Sequence, residues 1–164
     1  MSFQSDVKAT AGLQQAYRSG LDALGHNRRH VSAGDWPRSI SGSVDIDSAL
    51  AIREPNAKRW DYAVGLADGG IVWIEVHPAS STHVADVIGK KQWLMGWLAG
   101  TSSPLKRYPR QRFAWAATAG VAFSRHTREG RKLSQAGIEQ PTSPVKLLTK
   151  ENPSTPAAPP PSGS

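Results

Sequence analysis

Apolar and polar residues alternate most regularly on either side of Asp68, Gly69 and Gly70. Two alternating runs, 60–67 and 71–77, about a glycine-containing turn predict a β-hairpin. With 68–70 as the loop, Ala67 pairs with Ile71 and Asp61 with His77. Side chains alternate faces along a strand. One face then carries Tyr62, Val64, Leu66, Val72, Ile74 and Val76, which is a core face. The other carries Asp61, Ala63, Gly65, Ala67, Ile71, Trp73, Glu75 and His77, so Asp61, Glu75 and His77 gather at one end of it. A two-residue turn would split the acids between faces and spoil the apolar side, and core burial selects against that register.

Elsewhere the period is mostly helical. Ala9, Leu13, Ala16, Tyr17, Leu21 and Leu24 recur at helical spacing and predict a helix over 6–24, closed by Gly25. Residues 40–47 alternate, Val44 and Ile46 against Asp45 and Asp47, and predict a half-buried strand. A helix is expected over 82–98, with Ser80 and Ser81 as caps and an end near Gly100. Its apolar stripe is Val84, Val87, Ile88, Leu94, Met95 and Leu98. Lys91 falls near the centre of that stripe, and Lys90 falls off it, nearer Trp93 and Trp97. A strand over 112–118, a short helix over 127–136 and a weak strand over 145–149 complete the chain. The order α-β-β-β-α-β, then α and β, predicts an α/β fold with a central mixed sheet flanked by helices.

A chain of 164 residues fits one domain, expected over 1–150. The segment 151–164 is almost all Pro, Ala, Ser and Gly, and it is expected to be a disordered tail. The absence of cysteine excludes disulfides and thiolate metal sites. No apolar run is long enough to span a bilayer and the start lacks a leader-like apolar core, so a cytoplasmic protein without a membrane partner is expected. A formal charge of +7 favours anionic partners.

The acids carry the candidate chemistry. Carboxylates on adjacent strands repel unless a cation lies between them, and oxygen ligands suit Mg²⁺ or Mn²⁺. Pairing with Arg or Lys is the alternative. His77 suits a general base or a second metal contact, with a hydrogen bond to Asp61 as the plainer reading. Lys91, in a core-facing stripe, either snorkels to the helix edge or turns its ammonium to Glu75 or His77. Lys106, Arg107, Tyr108 and Arg110 mix cation and aromatic, as phosphate contact with stacking requires, and Arg28 and Arg29 add basic charge. Trp93 and Trp97 share a helix face that suits a protein partner, a second copy or a further part of the core. No phosphate-binding glycine loop, nucleophile triad or zinc spacing is present.

The element order, with Trp60-Asp61-Tyr62 on the second strand and Glu75-Val76-His77 on the third, resembles the core of the PD-(D/E)XK nuclease-like superfamily, the restriction-endonuclease-like fold. The resemblance spans about 6–118. It implies that Asp61, Glu75 and the Val76 carbonyl hold Mg²⁺ or Mn²⁺, and that a lysine positions the attacking water. It implies a metal-dependent nuclease, with nucleic acid, DNA rather than RNA, as the partner. His77 stands where the motif lysine belongs, and the first helix offers Gln14 and Gln15 but no Glu. Some members carry the lysine on the following helix, where Lys91 stands. The alternative is an inactive nuclease fold that binds nucleic acid or protein.

Overall fold

In the computed structural model, which describes residues 2–34 and 39–148, the hairpin is the middle of a five-stranded sheet. Its strands are β1 (Tyr17–Arg18), β3 (Ile40–Asp45), β4 (Tyr62–Leu66), β5 (Ile71–His77) and β6 (Gln111–Ala117), adjacent in that order. β3, β4 and β5 form an antiparallel meander. β6 runs parallel to β5. That connection needs a crossover, supplied by the long helix α3 (Val84–Gly100). A separate parallel pair joins β2 (Val31–Ser32) to β7 (Val145–Lys146). Three short helices complete the fold: α1 (Phe3–Lys8), α2 (Ile46–Leu50) and α4 (Arg128–Gln135). The α/β class and mixed sheet are those the sequence pattern predicts.

The expected helix over 6–24 is not formed. α1 ends at Lys8, and Gly12 and Gly20 take φ of +93° and +52°, conformations an α-helix cannot contain. Tyr17 and Arg18 instead pair with Val44 and Ser43. Leu13, Leu21 and Leu24 do enter the core, but by way of turns and a 3-10 stretch over Asp22–His30. The strand expected over 40–47 stops at Asp45, whose Oδ1 accepts from the Ser48 amide at 2.9 Å and caps α2.

The hairpin register also differs from expectation. Tyr62 pairs with Ile74 and Gly65 with Ile71, while the Leu66 amide donates to the Gly70 carbonyl. The strands are thus slipped by two residues relative to the predicted pairing. A slip of two keeps every side chain on its face. Both faces are buried. Tyr62, Val64, Leu66, Val72 and Ile74 pack with Leu21, Leu24, Val31, Val145 and Leu147. The acid-bearing face carries the larger cluster: Trp60, Trp73, Phe113 and Trp115 under Val84, Val87, Leu94 and Leu98 of α3. The expected tail, 151–164, lies outside the described residues. No helix among the described residues is long and apolar enough to cross a membrane.

Candidate active site

Continuing the β4–β5 register by one pair sets Asp61 opposite Glu75. Here the regular ladder gives way to side chains. The Asp61 amide donates to Glu75 Oε2 at 3.2 Å, and the Val76 amide donates to Asp61 Oδ2 at 2.9 Å. Each acid therefore closes the backbone of the other's strand. The Asp61 carbonyl accepts from the Ile46 and Asp47 amides at 2.8 and 3.3 Å, which anchors the first turn of α2 beside the pair. Glu75 is 0% exposed.

The lysine over this pair is Lys90. Its Nζ donates to Glu75 Oε1 from the overlying α3. Lys91, assigned that role by the sequence pattern, does not reach the acids. Its ammonium donates to the Ala136 carbonyl at the end of α4 and stands 4.3 Å from the centre of the Phe113 ring. The stripe itself is as expected, since Val84, Val87, Leu94 and Leu98 are the buried residues of α3. But the centre of the stripe lies over β6, and the acids lie on the β4–β5 seam. One residue earlier, roughly 100° around the helix, is the position that overlooks that seam.

The electrostatics follow from burial. Burial pushes the Glu75 carboxyl up to about 8, and the neighbouring Asp61 charge adds to the rise while Lys90 opposes it. Burial also raises Asp61, against Lys90 and the Val76 amide. Burial by itself would lower Lys90, but Glu75, with Asp61 and Asp47 behind it, outweighs burial and raises the ammonium. Lys91 has no carboxylate, and burial lowers it. Two buried acids with one ammonium between them leave one negative charge uncompensated when both are ionised. That is the donor set and charge deficit that a hard divalent cation fits. The Val76 carbonyl is the third oxygen implied by the resemblance. Among the described residues no group of three or more His, Asp or Glu gathers as a metal cluster.

His77 shares the face of the acids but does not bond Asp61. Its Nδ1 is 3.0 Å from the Pro78 carbonyl, and its ring packs edge-on against His83, centroids 4.4 Å apart. A carbonyl only accepts, so this bond puts a proton on Nδ1, and in the neutral ring Nε2 is then the acceptor. His83, whose Nδ1 lies 2.7 Å from Ser80 Oγ, was not singled out by the sequence pattern. Only the fold back of 78–83 onto β5 brings it there. At the rim, Arg59 pairs with Asp47 at 2.8 Å and Lys58 with Asp86 at 3.0 Å.

The residues expected to bind nucleic acid divide. Lys106 and Arg107 are exposed, but they lie at the hairpin tip, at the opposite end of β5 from Glu75. Arg110 is paired there with Asp68, and its carbonyl accepts from the Ile71 amide. The Tyr108 hydroxyl is turned inward to Asp6 at 2.6 Å, so its edge is not offered to a partner. A cavity of about 540 Å³, bordered by Phe3, Tyr17, Arg107 and Tyr108, opens at this same end. Arg28 pairs with Asp22 at 3.6 Å, and Arg29 follows it in the 3-10 stretch, which touches Tyr62 through Asn27 on the far face of the sheet. Trp93 and Trp97 stack at 5.8 Å and are half-buried, packed against the core as one of the expected alternatives has it. No family model, curated protein or solved structure matches the chain.

Proposed function

We propose that the chain is a metal-dependent phosphodiester hydrolase acting on nucleic acid, with Asp61, Glu75 and Lys90 as its catalytic group. The observation that carries this reading is the lysine. A fully buried Glu75, set against a second acid and met by an ammonium from the crossover helix, is a costly arrangement for a structural salt bridge alone. It also restores, from α3, the lysine that the resemblance to the PD-(D/E)XK superfamily requires and that His77 displaces. The meander β3–β4–β5 followed by α3 and parallel β6 agrees with that family's core.

Asp61, Glu75 and the Val76 carbonyl would hold Mg²⁺ or Mn²⁺, which when bound supplies Lewis-acid polarisation of the phosphoryl oxygens. The chain's own groups do the rest. Lys90, held charged by Glu75, orients water and stabilises the negative charge that grows on the phosphoryl oxygens. His77 offers Nε2 as acceptor for the proton of the attacking water. Water oxygen bonds to phosphorus, the bridging P–O bond breaks, and the departing oxygen takes a proton from solvent.

Wild-type protein is expected to cut DNA in Mg²⁺ or Mn²⁺ and not in EDTA, and Asp61→Asn is expected to be inactive in all three. One observation favours a second reading: Lys90 already satisfies Glu75, as it would in an inactive fold retained for binding. Absence of cleavage by the wild type under every metal condition, with nucleic-acid binding retained, would establish that reading instead.

A further inference from the structure

We propose that the exposed arginines of the segment 118–131 take the phosphate backbone of the nucleic acid, and that the Lys106–Arg110 loop does not. The proposal rests on the hydrolase reading for the place of the cut, but it concerns a different surface. Because β6 is parallel to β5, its carboxyl end emerges at the acid end of the sheet: Ala117 pairs with His77. The chain then continues along the site. The Thr118 amide donates to the His77 carbonyl at 3.3 Å, and the Ala122 amide donates to the Ala79 carbonyl at 2.9 Å. Phe123 seats against Trp115, ring centroids 5.9 Å apart, and Trp115 donates its indole N–H to the same His77 carbonyl at 2.9 Å. Ligands of open α/β sheets sit outside the carboxyl ends of parallel strands, and this segment forms that rim.

The segment carries Arg125, His126, Arg128 and Arg131, all exposed. Among the described residues none of these arginines makes an ion pair with an acid, whereas Arg28, Lys58, Arg59, Arg110 and Arg112 each do. A cation already paired with an acid gives up that partner when it binds phosphate; these three have no acid to give up, and Arg125 donates only to neighbouring His126 at 3.4 Å. The turn that presents them is tightly built. Thr127 Oγ1 donates to the Ser124 carbonyl at 2.7 Å and accepts from the Gly130 amide at 3.2 Å. A Cβ at Gly130 would lie 2.2 Å from the Ser124 carbonyl oxygen, so this turn closes onto α4 only over a glycine.

The test is DNA binding by inactive Asp61→Asn protein, measured against salt. In that background we compare Arg125→Ala/Arg128→Ala/Arg131→Ala, the same three positions changed to Lys, and Lys106→Ala/Arg107→Ala. Each duplex phosphate contact contributes about 0.9 to the slope of log affinity against log salt. The alanine triple is expected to lower that slope by about 2 to 3 and to weaken binding about 10-fold or more at moderate salt. The lysine triple is expected to keep most of the slope, and the Lys106/Arg107 variant to keep all of it. An unchanged slope in the alanine triple, a slope lost instead in the Lys106/Arg107 variant, or no DNA binding by any form at low salt overturns the proposal. Cleavage by the otherwise wild-type chain is scored separately. Cleavage with arginine-independent binding refutes this surface and spares the hydrolase reading. Arginine-dependent binding without cleavage does the reverse.

Discussion

At the scale of single residues, Glu75 sets the terms. It has no exposure and sits beside a second acid, so its carboxyl stays protonated far above the ordinary range. A carboxyl whose folded pKa exceeds its unfolded value takes up a proton on folding between the two. Stability is therefore present below the unfolded value and is lost as pH rises through the folded one, from 4.5 to about 8. Asp61, also raised, acts in the same direction. Lys90, raised rather than lowered, stays charged across that window and limits the loss. The melting temperature of the metal-free protein is expected to fall between pH 5 and pH 8, and Glu75→Gln to flatten the fall. Saturating Mg²⁺ should flatten it too, because a cation that binds the ionised folded form stabilises it by mass action. A melting temperature that rises over this range without metal would contradict the burial of this charge. The identity of the lysine was not legible in the sequence. Periodicity locates a helix's buried stripe but not the angle at which that stripe crosses a strand seam. Lys91 and Lys90 are therefore told apart only when Phe113 is seen under one and Glu75 under the other.

At the scale of elements, glycines fit the helices and strands to one another. A Cβ on Gly65 would lie 2.3 Å from the ring of Phe3, so α1 lies directly on β4 where β4 has no side chain. Gly65→Ala is expected to cost about 1–3 kcal/mol by overpacking, read as a lowered midpoint in urea. An unchanged midpoint would mean that α1 is not seated there. The hairpin and the α3 stripe were legible because each carries a sustained period, while β6 and α4 lie within a residue of the spans expected for them. The hairpin register was not, for a definite reason. Burial fixes only the parity of a pairing. The predicted and observed registers differ by two, so both put Asp61, Glu75 and His77 on one face, and only the turn at Leu66–Gly70 separates them. The first helix failed because Leu13, Leu21 and Leu24 keep helical spacing while Gly12 just before them and Gly20 among them break the backbone.

At the scale of the whole molecule, the parallel step from β5 to β6 organises everything near the acids. It requires α3, which delivers Lys90, and it brings the 118–127 turn back past His77. The formal charge of +7 does not by itself locate a binding surface. Intramolecular ion pairs leave that net charge unchanged but occupy particular cations, including Arg110 at the hairpin tip and Arg112 of β6 with Glu139. The central claim is that Lys90, over Asp61 and Glu75, makes this end of the sheet a metal-dependent hydrolytic site. The measurement that tests it most directly is single-turnover cleavage of DNA in Mn²⁺ by wild type, Lys90→Ala and Lys91→Ala. Removing one positioned electrostatic group costs on the order of 100- to 1,000-fold in rate. Lys90→Ala is expected to lose that much, while Lys91→Ala, which gives up the Ala136 carbonyl and the Phe113 ring but no contact with the acids, cuts at close to the wild-type rate. Equal rates for Lys90→Ala and wild type, or a loss confined to Lys91→Ala, would contradict the account.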